Sequence, residues 1–480
     1  MRPCTRSQEP RSHSRFITQF QSRTGDVRAV APKTARTGIC FSFSSRVHIK
    51  DTGVPVYQKH RYRRRDEEEE EEEEAEATTT TTTTTPIMSD YRINTRIVKV
   101  IHEDGHHASI PPIYQSTTFK ADSIDSLSTQ AYDYTRSGNP TRTALQSHLA
   151  NVFNCKYTWA VNSGMACLDV ILSAFLKPGD EVVAGTDLYG GSDRLLHFFE
   201  RKSDLIINHH DTADLSLMKK VITSKTKLVL LESPTNPLIQ VVDVRSIASH
   251  AHKVNPDCIV VFDNTMMTPL LMSPLELGCD VQYESATKYL NGHHDIMAGV
   301  LATNNDSLAQ KLFFVINATG SGLAPFDSWL LIRGLKTLAI RLEREQSNAE
   351  KIAQYLEERY PDFNVRYTGL KSHPQHALHF SQCSGAGAVL AFETHNLDLS
   401  EKIIKHCKLF STTVSFGSVS SLISLPLKMS HASIDKKVLA ERNFPQDLIR
   451  VTVGIEDIED LIHDLETAII KAKRELGARL

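Results

Sequence analysis

The sequence predicts an α/β protein built on a mostly parallel sheet, and three observations carry that expectation. Short β-rich runs alternate with longer helical patterns from about Tyr91 onward. Most of these runs end in polar residues, at the strand ends outside which ligands bind in open α/β sheets. The chain of 480 residues, 40% hydrophobic and 23% charged, is long enough to bury a large core and to divide into more than one domain.

The strand-like runs are TWAVNS at 158–163, EVVAG at 181–185, KLVLLES at 227–233 and CIVVFDN at 258–264. From Ser328 to Tyr360, apolar residues instead recur at helical spacing with Glu, Lys and Arg between them. That pattern predicts one long amphipathic helix joining the sheet domain to a smaller one.

The chain ahead of these elements is different in kind. Its first 65 residues hold fifteen Lys and Arg against three acids, with much Ser and Thr and no sustained apolar period. An unbroken acidic run follows from Asp66 to Glu74, then eight threonines from Thr78 to Thr85. Residues 1–87 are therefore expected to form a low-complexity extension without a packed core. The Arg- and Ser-rich start resembles an organelle transit peptide, which the acidic block does not fit; the alternative is a functional chain starting at Met88. At the other end, Ala478-Arg479-Leu480 has the small-basic-Leu form of a peroxisomal address, so a cytoplasmic or peroxisomal location is expected.

Bulk properties exclude some classes of partner. A formal net charge of −3 gives no reason to expect nucleic acid or an anionic membrane. No run approaches the roughly 18 uninterrupted apolar residues of a membrane span. The eight cysteines lack CxxC or His-paired zinc spacing and are expected to be small core residues in a reducing compartment. The adjacent pairs His209-His210 and His293-His294 have no carboxylate or cysteine at ligand spacing, so no metal is expected.

The chemistry is concentrated at strand ends. In ESATKYLNGHHD, from Glu284, a strand-like run closes in small hydroxyl residues around one lysine. Ser285 and Thr287 offer hydroxyl donors suited to a phosphate, and Lys288 offers an amine able to condense with an aldehyde. In VFDNT, Asp263 ends a strongly apolar strand, where a carboxylate is costly unless it meets a cation. A salt bridge would meet that need. So would the protonated pyridine nitrogen of pyridoxal 5'-phosphate (PLP), whose ring then acts as an electron sink. In VNSGMA, Ser163, Gly164 and Met165 form a strand-to-helix turn where glycine allows close approach and helix N–H groups favour a phosphate. Tyr189, followed by two glycines in DLYGG, is placed to cover a pyridine ring.

The chain order of the SGM turn, Tyr189, Asp263 and Lys288, with the segment Asp280–His294, resembles the lysine signature of the Cys/Met-metabolism PLP enzymes. That family includes cystathionine β-lyase, γ-lyase and γ-synthase, and the resemblance extends over roughly Thr95 to Glu466. It implies the type I PLP fold of the aspartate aminotransferase kind, with a mostly parallel seven-stranded sheet in a large domain and a smaller C-terminal α+β domain. The implied division is an arm over 88–138 contacting a neighbouring subunit, a PLP-binding domain over 139–334 and a small domain over 335–480. By the same resemblance, Tyr134 and Arg136 in YDYTRSGNPTR bind the neighbouring subunit's cofactor phosphate, so the active site is expected to need at least a dimer, and the family's usual homotetramer of two such dimers with shared active sites is implied. Asn236 in ESPTNP would contact the ring hydroxyl side of PLP, and Arg450 in LIRVTVGIED would hold a substrate α-carboxylate through a two-pronged grip. Lys288 and Tyr189 are the implied catalytic residues. Ser415 is expected to partner the Lys288 amine or the substrate carboxylate. His294 departs from the serine commonest at its position.

Four further segments resemble the cystathionine β-lyases of plants in particular: DLYGGSDRLL from Asp187, GSGLAPFDSWLLIRGLKT from Gly320, HFSQCSGAGAV from His379 and VSFGSVSSLIS from Val414. Where γ-lyases and γ-synthases usually carry a glutamate, this chain has Ser420. The implied reaction is β-elimination of L-cystathionine to homocysteine, pyruvate and ammonia, with γ-cleavage or broader cysteine-conjugate cleavage as alternatives.

Overall fold

The computed structural model describes residues 90–102, 104–430 and 444–477, together with the backbone of two short antiparallel strands, His48–Ile49 and Pro55–Val56. The expectations for the extension over 1–87 and for Ala478–Leu480 otherwise fall outside the described residues.

Seven strands form the larger sheet: β1 (Tyr157–Val161), β2 (Glu181–Gly185), β3 (Ile206–His210), β4 (Thr226–Glu232), β5 (Ile259–Asp263), β6 (Val281–Ser285) and β7 (Gly299–Thr303). Their spatial order is β1-β7-β6-β5-β4-β2-β3. All neighbours run parallel except β7, which is antiparallel to both β1 and β6. The predicted runs coincide with β1, β2, β4 and β5, and EVVAG fills β2 from end to end.

These strands read as continuous apolar runs because both sheet faces are covered. Alternate residues point to opposite faces. Val182, Ala184, Leu228, Leu230 and Val261 therefore pack with helices α1 (Gly164–Phe175), α2 (Gly190–Ser203) and α3 (Asp306–Thr319). Val183, Val229, Leu231, Val260 and Phe262 pack on the other face with Met218, Val244 and Ile247, from the helices Leu215–Val221 and Val244–Val254.

The single long helix predicted over 328–360 is two helices, α4 (Pro325–Leu335) and α5 (Leu338–Arg359). The break is held by side chains that compete for the last carbonyls of α4. Thr337 Oγ1 and the Arg341 guanidinium both donate to the Gly334 carbonyl, at 3.2 and 3.0 Å. Gly334 itself is needed, since a Cβ there would stand 2.6 Å from the Asn291 carbonyl oxygen.

Five strands form the second sheet: β8 (Asn364–Arg366), β9 (Val389–Glu393), β10 (Ser411–Thr412), β11 (Leu422–Ser424) and β12 (Ile449–Thr452), in the order β8-β9-β12-β11-β10. Leu390, Phe392 and Val451 from this sheet share one core with Ile352 and Leu356 of α5 and with Leu461, Leu465 and Ile469 of the helix Ile458–Glu475. The cysteines at 155, 167, 258, 279, 383 and 407 are all free, and four of the six are buried. No helix among the described residues is long and apolar enough to cross a membrane.

Cross-strand register positions the site. Glu232 pairs with Asp263, and Asp263 with Tyr283, so β4, β5 and β6 present polar residues side by side at their carboxyl ends.

Candidate active site

At those strand ends lies a cavity of about 200 Å³ whose wall includes Lys288, Asp263, Asn236, Tyr189, Gly164 and Met165. Lys288 stands in the turn after β6, its N–H donating to the Ser285 carbonyl at 3.1 Å. Its Nζ donates to Ser415 Oγ at 2.8 Å and lies 5.1 Å above the Phe416 ring. Ser415 and Phe416 belong to the segment between β10 and β11, so the two sheets meet around this amine. Burial, with a smaller contribution from the Arg450 charge, pulls the ammonium down to about 8. A neutral, nucleophilic amine is thereby accessible near neutral pH.

Asp263 is accessible to the cavity at the end of β5. Its Oδ1 accepts from the Thr265 N–H at 3.0 Å and from Thr265 Oγ1 at 2.5 Å, and Tyr283 also hydrogen-bonds the carboxyl. Burial outweighs these donors and raises the carboxyl above its ordinary range. Its hydrogen-bonding partners are neutral, so a cationic ring N–H arriving in the cavity would complete it.

Opposite the lysine turn, α1 begins at Gly164. Ser163 caps it by accepting from the Ala166 N–H at 3.0 Å, which leaves the Gly164 and Met165 end of the helix at the cavity wall. A Cβ on Gly164 would stand 2.8 Å from Ser285 Cβ, so only glycine lets the two turns approach this closely. Ser285 lines the same wall. Thr287 does too, but its hydroxyl is engaged by Ala298, accepting from the N–H at 3.0 Å and donating to the carbonyl at 3.2 Å.

Tyr189 immediately precedes α2 and is 41% exposed, with its N–H donating to Glu232 Oε2 at 3.2 Å. Its two following glycines have a spatial reason. A Cβ on Gly191 would fall 2.4 Å from the Tyr189 ring, and one on Gly190 would fall 2.8 Å from the Ser430 carbonyl.

Arg450, on β12, is 2% exposed and does not itself line the cavity. It donates to Asn236 Oδ1 at 2.9 Å, and to the Ser415 and Val414 carbonyls at 2.9 and 3.2 Å; burial lowers it to about 10. Asn236 and Val414 do line the cavity, so the guanidinium sits one residue back from it.

Tyr134 and Arg136 are not among the cavity's lining residues. They stack together instead, with the Arg136 guanidinium 5.0 Å from the Tyr134 ring centre, and Arg136 borders a separate surface hollow with Phe314 and Asn317. Ser420 is exposed and likewise outside the cavity. His294 takes a left-handed backbone with φ 56°, and desolvation and the Lys288 charge lower its ring below the ordinary histidine range.

Several lining residues escaped the sequence reading: Ser192, Glu232, Thr265, Tyr283, Met297 and Phe416. Glu232 and Thr265 lie inside motifs already singled out, and the register of β4, β5 and β6 is what brings them in. Burial, and after it the neighbouring Asp263 and Asp187 carboxyls, raise the Glu232 carboxyl well above its ordinary range.

A half-buried amine, a carboxylate calling for a cation and a helix start beside a serine, all on one cavity, fit PLP at three of its ends. Fold and site together define a type I PLP-dependent enzyme. The chain belongs to the Cys/Met metabolism PLP-dependent enzyme family, whose profile matches residues 94–470. It is 54% identical to the cystathionine beta-lyase of Neurospora crassa over 80% of this chain and 82% of that protein. It is 46% identical to the chloroplastic cystathionine beta-lyase of Arabidopsis thaliana, again over 80% of this chain and 82% of that one, so the likeness to plant enzymes extends to a fungal enzyme at higher identity. Among solved structures, it matches cystathionine gamma synthase from Xanthomonas oryzae pv. oryzae in complex with cystathionine, with a TM-score of 0.77 and 36% identity over 80% of this chain and 99% of that chain.

Proposed function

We propose that this chain is a PLP-dependent carbon–sulfur lyase that cleaves L-cystathionine at the Cβ–S bond, releasing homocysteine, pyruvate and ammonia. The observation that carries the reading is the identity of 46–54% to cystathionine β-lyases over 80% of the chain, combined with a cavity centred on Lys288. A β-lyase fits better than the γ-cleaving alternative because the position of the γ-enzymes' glutamate is Ser420, whose side chain is exposed.

Bound PLP supplies an aldehyde carbon for an amino group and a ring that accepts electrons from Cα. Lys288 is the residue that holds the cofactor and moves protons: its neutral amine takes the Cα proton and returns one to the departing sulfur. Asp263 keeps a positive charge at the ring nitrogen. The Gly164–Met165 helix start and Ser285 hold the phosphate, with Thr287 supporting that wall through Ala298. Tyr189 covers the ring face, and Asn236 stands at the ring's hydroxyl side. Arg450 holds the substrate carboxylate, its guanidinium kept in place by Asn236, Val414 and Ser415. The orientation this grip imposes on the Cα–H bond is worth part of the barrier by itself.

Tyr134 and Arg136 serve the cavity of a second subunit in this reading. Their position outside their own cavity supports a site shared within a dimer, and the family resemblance extends this to a homotetramer of two such dimers. The arm over 88–138, the cofactor domain over 139–334 and the small domain over 335–480 are the corresponding units. The location is cytoplasmic or, if Ala478-Arg479-Leu480 acts as an import address, peroxisomal; deleting the tripeptide and imaging the protein tests this.

Purified protein incubated with L-cystathionine decides the reaction. Pyruvate is the expected keto acid, whereas 2-oxobutyrate would assign γ-cleavage.

A further inference from the structure

Asp193, His197 and His209 bring three ligand atoms within 4.8 Å of one another, outside the cofactor cavity. We propose that they form a binding site for one divalent transition-metal ion of the zinc class. Asp193 and His197 are four residues apart on α2 and so share a helix face. His209 comes from β3, the edge strand of the larger sheet.

Tautomer chemistry aims both rings inward. His209 Nδ1 lies 2.9 Å from the Gly185 carbonyl oxygen, which only accepts, so the proton sits on Nδ1 and the lone pair on Nε2. His197 Nδ1 lies 3.0 Å from Glu200 Oε2, and the same argument puts its lone pair on Nε2. Both Nε2 atoms face the one carboxylate, His209 at 3.7 Å from Asp193 Oδ1 and His197 at 3.8 Å from Oδ2. Carboxylate and carbonyl partners on the far nitrogen are the arrangement that fixes metal-ligating histidines.

Two imidazole lone pairs and a carboxylate converge on one spot, the donor set that a divalent cation takes. Tetrahedral zinc with bonds of about 2.1 Å keeps its ligand atoms roughly 3.4 Å apart, so the two nitrogen–oxygen separations of 3.7 and 3.8 Å need shifts of a few tenths of an ångström. A rotation of the exposed His197 ring brings in the rest of the set, whose atoms lie within 4.8 Å. Imidazole nitrogen with a single carboxylate suits zinc, copper or nickel and disfavours calcium and magnesium, which need oxygen ligands. The Asp193 and His209 side chains are 10% and 15% exposed, whereas His197 is 46% exposed, so the fourth position opens toward solvent. An ion here would clip α2 to the sheet edge at Asp193, four residues after the helix-leading Tyr189 and one after Ser192, both of which line the cofactor cavity. The competing occupant is a proton that turns one ring into an imidazolium paired with Asp193.

Full-length holoenzyme, stripped with a chelator and dialysed, tests this by zinc titration calorimetry, metal content and thermal unfolding. One zinc per chain and an upward shift of the unfolding midpoint with zinc are expected. His197→Gln, on the helix surface, and His209→Gln should each weaken zinc binding at least tenfold and remove the thermal shift. Glu200→Ala, which removes the carboxylate at the far nitrogen of His197, should weaken it about tenfold. No stoichiometric zinc, or zinc uptake that His197→Gln leaves unchanged, overturns the site.

Discussion

Lys288 Nζ donates a 2.8 Å hydrogen bond to Ser415 Oγ, and that one contact ties the turn after β6 of the larger sheet to the β10–β11 segment of the smaller one. Ser415 also offers its carbonyl to Arg450 at 2.9 Å, so one residue steadies both the amine and the guanidinium. Ser415→Ala removes the hydroxyl and keeps the carbonyl. The expected outcome in steady-state kinetics is a kcat/KM lower by about tenfold, the equivalent of one hydrogen bond of roughly 1–1.5 kcal/mol, with an unchanged thermal midpoint. Unaltered kinetics would remove Ser415 from the working site.

The depressed Lys288 ammonium has a pH signature. With its folded value near 8 and its unfolded value near 10.5, the folded apoprotein sheds this proton before the unfolded chain does. Between those values the unfolded state binds more protons, so this group makes stability rise with pH across that window and costs most below it. Capture of PLP by apoprotein requires the neutral amine and should accelerate with pH around a midpoint near 8. A midpoint at the ordinary lysine value would contradict the buried, Arg450-facing environment.

Asp263→Asn preserves shape and can still accept from the Thr265 N–H, but it removes the charge. Turnover is expected to fall on the order of 10²- to 10³-fold, as for loss of one preorganised electrostatic partner, and cofactor affinity to fall with it. Measured PLP dissociation and kcat for this variant check the assignment; near-native values would refute it.

Arg450→Lys keeps a positive charge and loses the fork. A single ammonium cannot reproduce contacts to Asn236, Val414 and Ser415 together with a two-pronged grip on a carboxylate. A rise in KM of about ten- to a hundredfold is expected, larger than the change in kcat, because charge-assisted hydrogen bonds contribute roughly 1.5–3 kcal/mol. A kcat effect with constant KM would contradict a grip on the bound substrate's carboxylate.

Much of this was legible in the sequence. Strands β2, β4 and β5 announce themselves as buried apolar runs, and Asp263 and Lys288 stand out because costly polar groups terminate such runs. The break between α4 and α5 did not show, since apolar spacing continues through it and the interruption is made by Thr337 and Arg341 reaching back to Gly334. Glu232 and Tyr283 were missed because their place beside Asp263 depends on strand register, which adjacent chain positions do not reveal. The cluster around Asp193 was invisible for a related reason. The partners of His209 are not its chain neighbours, and Asp193 and His197 arrive instead from one face of α2.

In the proposed chemistry a single amine carries the cofactor, and borohydride reduction of the holoenzyme followed by peptide mapping is the measurement that decides it. The pyridoxyl group is expected on the peptide containing Lys288 and on no other. Label on a different lysine, or none at all, would contradict the assignment.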